Sequence, residues 1–304
     1  LEEHTNSPKT YLKKIWMGIY ADLKFLSRAL MVLFALGLTL YLGMYFTLWL
    51  HQEQFIFKPS PHKTQSLRIS GYRRIPLSIP FKNGHAQAHI FTPSLDPKIS
   101  ERLIIYFYGN AENLESSLPK IQWISKRTRA AIFCAEYPGY GSTAGDPSQK
   151  SILDLMGLWN NTLQEEYSFS ANNTIVWGFS LGGAVAAQHH KKHGTAGIIL
   201  ENTFNSLIDL ASERYPLMPI SLICRHPFRS DQALSQASVP ILVMHCKQDG
   251  VVPFHLGKRL ASELKHSTFI ETKGKHSDSH KQSQIDITRT LKKIFPEHFT
   301  DIVY

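Results

Sequence analysis

The sequence predicts an α/β protein: a mostly parallel sheet with helices on both faces and a small lid, preceded by one N-terminal transmembrane helix. Three observations predict this. Residues 29–50, ALMVLFALGLTLYLGMYFTLWL, hold no charged side chain. From about residue 102 short apolar, β-rich runs alternate with helical patterns, which is how parallel βαβ units read. Within that rhythm, WGFSLGG at 177–183 joins a β-rich run to a helical one through a serine flanked by glycines.

Composition bounds the rest. At 304 residues the chain suits one domain of roughly 250 residues plus an appendage. Hydrophobic content of 43% with 19% charged excludes extensive disorder. The net charge of +9 comes without a Lys/Arg block or a nucleic-acid motif, so it reads as a dispersed basic surface and no nucleic acid is expected as a partner. Cys134, Cys224 and Cys246 form no C-x-x-C pair, which argues against a zinc site or a disulfide scaffold. Cys134 and Cys246 lie in apolar runs and read as small buried hydrophobes, while a disulfide at Cys224 stays open.

Taken in order, residues 1–28 form a basic N-terminal segment carrying Lys9, Lys13, Lys14, Lys24 and Arg28. The apolar run 29–50 is long enough to span a hydrocarbon core of about 30 Å as a helix, with Tyr41, Tyr45 and Trp49 gathered toward its far end where aromatic rings favour headgroups. It exceeds a usual signal-peptide apolar region and no small-x-small cleavage site follows, so an anchor in the lipid bilayer is expected. The excess of Lys and Arg before it puts the N-terminus in the cytoplasm and the rest on the non-cytoplasmic side, periplasm or lumen. Residues 51–74 read as a linker, and 75–304 as the folded domain. Edge strands are expected at 75–81 and 86–92. Core strands follow at 102–108, 130–137, 173–179, 197–203, 240–246 and 268–272, their continuous apolar character fitting burial on both faces. Residues 204–238 interrupt the alternation and are expected to form the lid from a few short helices.

The G-x-S-x-G pattern is Gly178, Ser180 and Gly182. Alone it is common, but between a strand and a helix it describes a nucleophile elbow, a strained turn that only small neighbours permit. A serine at neutral pH needs a base, and the base needs an acid to orient it. Asp249 follows the strand PILVMHC, and His276 comes 27 residues later beyond TFIET and Gly274. Both fall on loops at the carboxyl edge of the sheet, where active-site residues of open α/β sheets gather. The order Ser180, Asp249, His276 is that of the α/β-hydrolase fold. His280 rivals His276 as base; His245, inside a strand, is a poorer candidate. The oxyanion donors expected are the backbone N–H groups of Leu181, at the helix start, and of Asn110, after Gly109 in YGNAEN. The chemistry needs no metal or organic cofactor, and no obligate protein partner is evident.

The strips FIFKPSP, YFYGNAEN, EYPGYGSTAGDPSQKSILDL, GFSLGGAVA, IILENTFNSL, QDGVVP and KGKHSD give the chain a further identity. From about residue 54 onward it resembles the bud-emergence-type α/β-hydrolases, membrane-anchored serine hydrolases that include protein depalmitoylases and serine aminopeptidase-like members. The resemblance implies Ser180, Asp249 and His276 as the triad. Three positions depart from it: Tyr108 stands where the family usually has His, Ser277 where it often has Asn, and Lys275 where a small residue usually precedes the catalytic His.

The function expected is hydrolysis of ester, thioester or acyl-amide bonds through an acyl-serine, with acyl-containing, lipid or lipidated substrates favoured. The alternatives are a serine peptidase and a catalytically silent hydrolase fold acting as a membrane-tethered binding module.

Overall fold

The computed structural model describes residues 8–61, 67–93 and 101–299. Parts of the expected basic segment (1–7), linker (62–66) and domain end (300–304) lie outside the described residues. The chain divides into two units, Leu1–Gln52 and Glu53–Tyr304.

The first unit is the helix α1, Pro8–Leu50. Its 43 residues rise about 65 Å at 1.5 Å per residue, so the helix extends well before the apolar run at 29–50. By length and composition it is a candidate membrane anchor, with mean hydropathy 2.0 over its most apolar window. Large side chains such as Phe34 and Leu40 stand exposed along it, apolar on every face as a lipid-facing helix requires.

A short helix α2, Gln52–Ile56, straddles the junction. The second unit then builds β1 (Arg73–Phe81), β2 (Gly84–Thr92), β3 (Leu103–Phe107), α3 (Leu118–Ser125), β4 (Ala131–Ala135) and α4 (Gln149–Glu165). Next come β5 (Thr174–Phe179), α5 (Leu181–His193) and β6 (Gly197–Glu201). The lid interval holds α6 (Leu207–Arg214), α7 (Ile220–Ile223) and α8 (Ser230–Leu234). The chain closes with β7 (Ile241–Cys246), α9 (Phe254–Glu263), β8 (Ser267–Thr272), α10 (Ser279–Gln282), α11 (Gln284–Ile294) and α12 (Pro296–Phe299).

The eight strands form one sheet in the order β1-β2-β4-β3-β5-β6-β7-β8. β1 and β2 are an antiparallel edge hairpin, β2 runs antiparallel to β4, and every pair from β4 to β8 is parallel. Every residue of β3 to β7 is buried, which accounts for their uninterrupted apolar sequences. Cys134 and Cys246 are buried in this core, and Cys224 is a free thiol.

The chain leaves β3 toward β4 on one side and returns as β5 on the other, so strand order reverses between β3 and β5. In open α/β sheets such a switch point is where ligands bind, outside the carboxyl ends of the strands. Phe107 pairs with Gly178 across that boundary, which sets the loop after β3 beside the turn after β5.

The segment read as a linker is partly built into the second unit. Phe57, Leu67 and Ile69 are buried, and Pro61 bridges to Gly141. Its prolines and lack of periodicity hide this, because its contacts are with distant residues.

Candidate active site

Ser180 is the hinge between β5 and α5, with φ 54 and ψ −120, a backbone state that residues with side chains avoid and that marks strain at functional turns. Its N–H donates to Glu201 O at 2.9 Å and its carbonyl accepts from Gly183 N at 3.0 Å and from Thr203 Oγ1 at 2.7 Å. The glycine requirement is steric. A Cβ on Gly178 would lie 2.2 Å from Gly182 O, and one on Gly182 would lie 2.1 Å from Phe107 O. These contacts let α5 start hard against the ends of β3 and β5, with the serine at the turn between them.

Asp249 sits in the turn after β7. Its Oδ1 accepts the N–H groups of Val251 at 2.8 Å and Val252 at 2.9 Å, and its Oδ2 accepts from His276 Nδ1 at 2.6 Å. Burial opposes the charge, but hydrogen bonds from His245 and His276 outweigh it and hold the carboxyl well below the usual carboxylate range. The His276 ring packs on Phe179, the residue before Ser180, with centroids 4.9 Å apart. With Nδ1 on the acid, Nε2 is the nitrogen left for the serine. Ser180 Oγ makes no hydrogen bond among the described residues; in unliganded hydrolases this contact commonly tightens only with substrate. Lys275, beside the imidazole in sequence, is exposed.

The structure brings His276 and not His280 to Asp249. His280 is buried edge-on to Trp123, and burial, with the neighbouring Lys120 charge, pushes it down to about 4. His245 has a part that its place in a strand concealed. Its buried Nε2 lies 3.3 Å from Asp249 Oδ2 and 3.0 Å from Val252 O, so it donates to the acid's turn from beneath.

The expected oxyanion donors flank the elbow. Leu181 N–H belongs to the first turn of α5, where N–H groups have no intrahelical acceptor. The loop after β3 passes close over β5: a Cβ on Gly109 would lie 2.8 Å from Phe179 Cδ1. Gly109 N–H is committed to Glu112 Oε2 at 2.7 Å, and Asn110 N–H donates to nothing among the described residues. Burial pushes the Glu112 carboxyl up, against the Gly109 hydrogen bond.

Tyr108, the departure in this loop, is itself well supported. Its hydroxyl donates to Glu136 Oε2 at 2.7 Å and accepts Tyr137 N–H at 2.8 Å, while Tyr137 OH donates to Tyr108 O at 3.0 Å. Glu136 Oε1 also accepts Leu114 N–H at 3.0 Å. Tyr108 and Glu136 together tie the loop at Tyr108 and Leu114 to the residues after β4 without histidine.

Sequence reasoning missed Asn202, whose side chain donates to His276 O at 2.6 Å, and the buried Lys120–Glu201 ion pair beneath the site. The signal for Asn202 was its place at a strand's carboxyl end, the position that also pointed to Asp249. Lys120 carried none. Together the strained serine, the imidazole held by a buried carboxylate and two unused N–H groups are the parts that acyl transfer requires.

A family model described as Chlamydia CHLPS protein (DUF818) matches residues 22–198, more than half of the chain. Alpha/beta hydrolase domain-containing protein WAV2 of Arabidopsis thaliana is 28% identical over 211 residues, covering 63% of this chain and 68% of its own. Protein bem46 of Schizosaccharomyces pombe is 30% identical over 159 residues, covering 51% of this chain and 53% of its own. The solved structure of the Pyrococcus furiosus esterase Pf2001 matches the fold with a TM-score of 0.60 at 12% identity, over 80% of this chain and 98% of its own. By family match, by these relatives and by its sheet, the chain belongs to the Chlamydia CHLPS protein (DUF818) family and is a bem46-type α/β-hydrolase.

Proposed function

We propose that the protein is a membrane-anchored serine hydrolase that cleaves ester, thioester or acyl-amide bonds of acyl-containing substrates through an acyl-serine. The observation that carries this is the 2.6 Å contact of His276 Nδ1 with Asp249 Oδ2, beside a serine held at φ 54. Ser180 Oγ attacks the acyl carbon while His276 Nε2 takes its proton, and the Leu181 and Asn110 N–H groups receive the negative oxygen. The carbonyl re-forms, the leaving group departs with the proton from Nε2, and water repeats the sequence to release the acid. Asp249 stays ionised and keeps the imidazole in the required tautomer.

Lipid or lipidated substrates are favoured because the lid carries Leu217 at 85% and Leu222 at 78% exposure, apolar surface that suits acyl chains or a bilayer. The basic residues ahead of the apolar run support an N-terminus in the cytoplasm and a hydrolase unit on the other side.

The test is labelling of the membrane-embedded chain with a fluorophosphonate probe. Wild type labels, Ser180→Ala loses the label entirely, and His276→Ala labels far more slowly. Well-folded wild type that stays unlabelled overturns the enzyme reading in favour of a silent binding module.

A further inference from the structure

The nine residues that open the second unit, 53–61, touch both the lid and the oxyanion loop. Glu53 Oε2 accepts from Arg225 at 2.7 Å and its Oε1 meets His226 Nε2 at 2.9 Å. His226 Nδ1 accepts Gln149 N–H at 3.3 Å, which makes Nε2 the donor to Glu53. Burial raises the Glu53 carboxyl, but these partners outweigh it and the net shift is downward. Phe57 is buried with its ring edge-on to His226 at 5.4 Å and Phe228 at 6.4 Å. This end of the segment is fixed to the lid.

The same segment also grips the loop after β3. Asn110 Nδ2 donates to Ile56 O at 2.6 Å, and its Oδ1 accepts Lys58 N–H at 2.9 Å and Tyr140 OH at 2.7 Å. Tyr140 OH in turn accepts from Lys58 N–H at 3.1 Å. Further on, Asn113 Nδ2 donates to Pro61 O at 2.8 Å, and Gly141 N–H to Ser60 O at 3.0 Å. The Asn110 carboxamide is thus held by the segment and Tyr140, with Oδ1 accepting twice and Nδ2 donating to Ile56 O.

A side chain held at three points leaves its own backbone little freedom. The next residue, Ala111, is at φ 60, so the peptide between Gly109 and Asn110 sits in a tight turn whose N–H direction depends on how the ends are held. Donors help only when fixed in advance on the point where charge develops, since reorganisation during reaction cancels their benefit.

We propose that residues 53–61 are a strap that positions the oxyanion hole, with the Asn110 carboxamide as its buckle. Ile56 and Lys58 clamp the side chain, and that clamp directs the Asn110 N–H toward the acyl oxygen. Asn110 therefore acts twice, through its N–H on the substrate and through its side chain as a positioning group. Only His51 and Gln52 lie between α1 and the strap in the chain, so the segment just beyond the anchor helix is also a working part of the site. This rests on the acyl-serine reading above.

The experiment uses the full chain in vesicles, with a p-nitrophenyl acyl ester as substrate and an alkyl trifluoromethyl ketone as inhibitor; the ketone adds Ser180 Oγ to give a hemiketal oxyanion. Asn110→Ala keeps the backbone N–H and loses the buckle. It should lower kcat by about 10-fold or more, short of the ~10²–10³ of a deleted donor, with KM little changed. The inhibition constant of the ketone should rise by the factor that kcat/KM falls, which a purely structural role would not produce. Tyr140→Phe, which removes one of the three grips, should show the same paired change at smaller size, and it decides the matter if Asn110→Ala fails to fold. Folded variants with unchanged kcat and unchanged ketone affinity, in a chain whose wild type labels and turns over, overturn the strap alone. Wild type that neither labels nor hydrolyses overturns it together with the hydrolase reading.

Discussion

The Asn202 carboxamide donates to the backbone carbonyl of His276 at 2.6 Å, and its oxygen accepts the N–H of Cys246 at 2.9 Å. Cys246 ends the strand that leads to Asp249, so one buried side chain ties the acid's strand to the base's loop. The residues on either side hold the serine. Glu201 O accepts Ser180 N–H at 2.9 Å and Thr203 Oγ1 donates to Ser180 O at 2.7 Å. Three consecutive residues at the end of β6 thereby fix the backbone around all three members of the proposed triad.

Asn202→Ala is expected to leave the buried Cys246 N–H unpaired, at about 1–3 kcal/mol, and the part-buried His276 carbonyl without its donor. Asn202 is also at φ 49, a conformation that asparagine tolerates better than alanine. More telling is the effect on rate. Misplacement of a catalytic group by about 1 Å can cost ~10²-fold, so kcat should fall by at least about 10-fold in protein that still folds. Steady-state kinetics beside thermal melting checks this, and a destabilised variant with wild-type kcat would show that the tie is only structural.

The Lys120–Glu201 pair offers a second test, of stability. Glu201 is fully buried and accepts from Lys120, from Ser279 Oγ at 2.9 Å and from Trp177 Nε1 at 3.0 Å. Burial raises its carboxyl, but the Lys120 ammonium, together with the other neighbours including Ser279, outweighs that and holds it below its ordinary value. Lys120→Met strands the carboxylate and should cost about 3–5 kcal/mol. Adding Glu201→Gln removes the stranded charge, so the double variant should be more stable than Lys120→Met alone in denaturant unfolding. Losses that simply add would mean the two side chains are not coupled.

What was legible in the sequence follows from the range of the forces involved. The elbow could be read because its requirement is local: Gly178 and Gly182 lie within two residues of Ser180 and are demanded by contacts near 2 Å. The parallel sheet could be read because each buried strand writes its own apolar run. The Lys120–Glu201 pair could not, since its members stand 81 positions apart and a lysine in an amphipathic helix reads as solvent-exposed. The strap was equally hidden. Its hydrogen bonds to Asn110 and Tyr140 reach across 52 and 82 positions, and a proline-containing stretch without periodicity reads as linker. His245 showed its burial through the strand pattern, but nothing local to it revealed that its partner is the turn four residues on.

The depressed carboxyl of Asp249 makes a prediction about pH. Burial works against its charge, while hydrogen bonds from His245 and His276, the charge interaction with His276 and the Val252 N–H more than offset that. A folded value below the unfolded one, about 3.9, means that the unfolded chain takes up the proton first as pH falls. The stabilisation is therefore complete well above pH ~4 and is lost progressively below it, toward the folded value. Asp249→Asn, which cannot ionise, should melt below wild type at pH 7, and the gap should narrow steadily as pH drops through about 4. Ser180→Ala removes no titrating group, so its melting difference from wild type should stay level over the same range. Tryptophan-fluorescence melts across that pH series read both. A gap for Asp249→Asn that does not change with pH would mean that the carboxylate's hydrogen bonds stabilise no more in charged form than neutral, and the electrostatic account of the Asp249–His276 contact would fall.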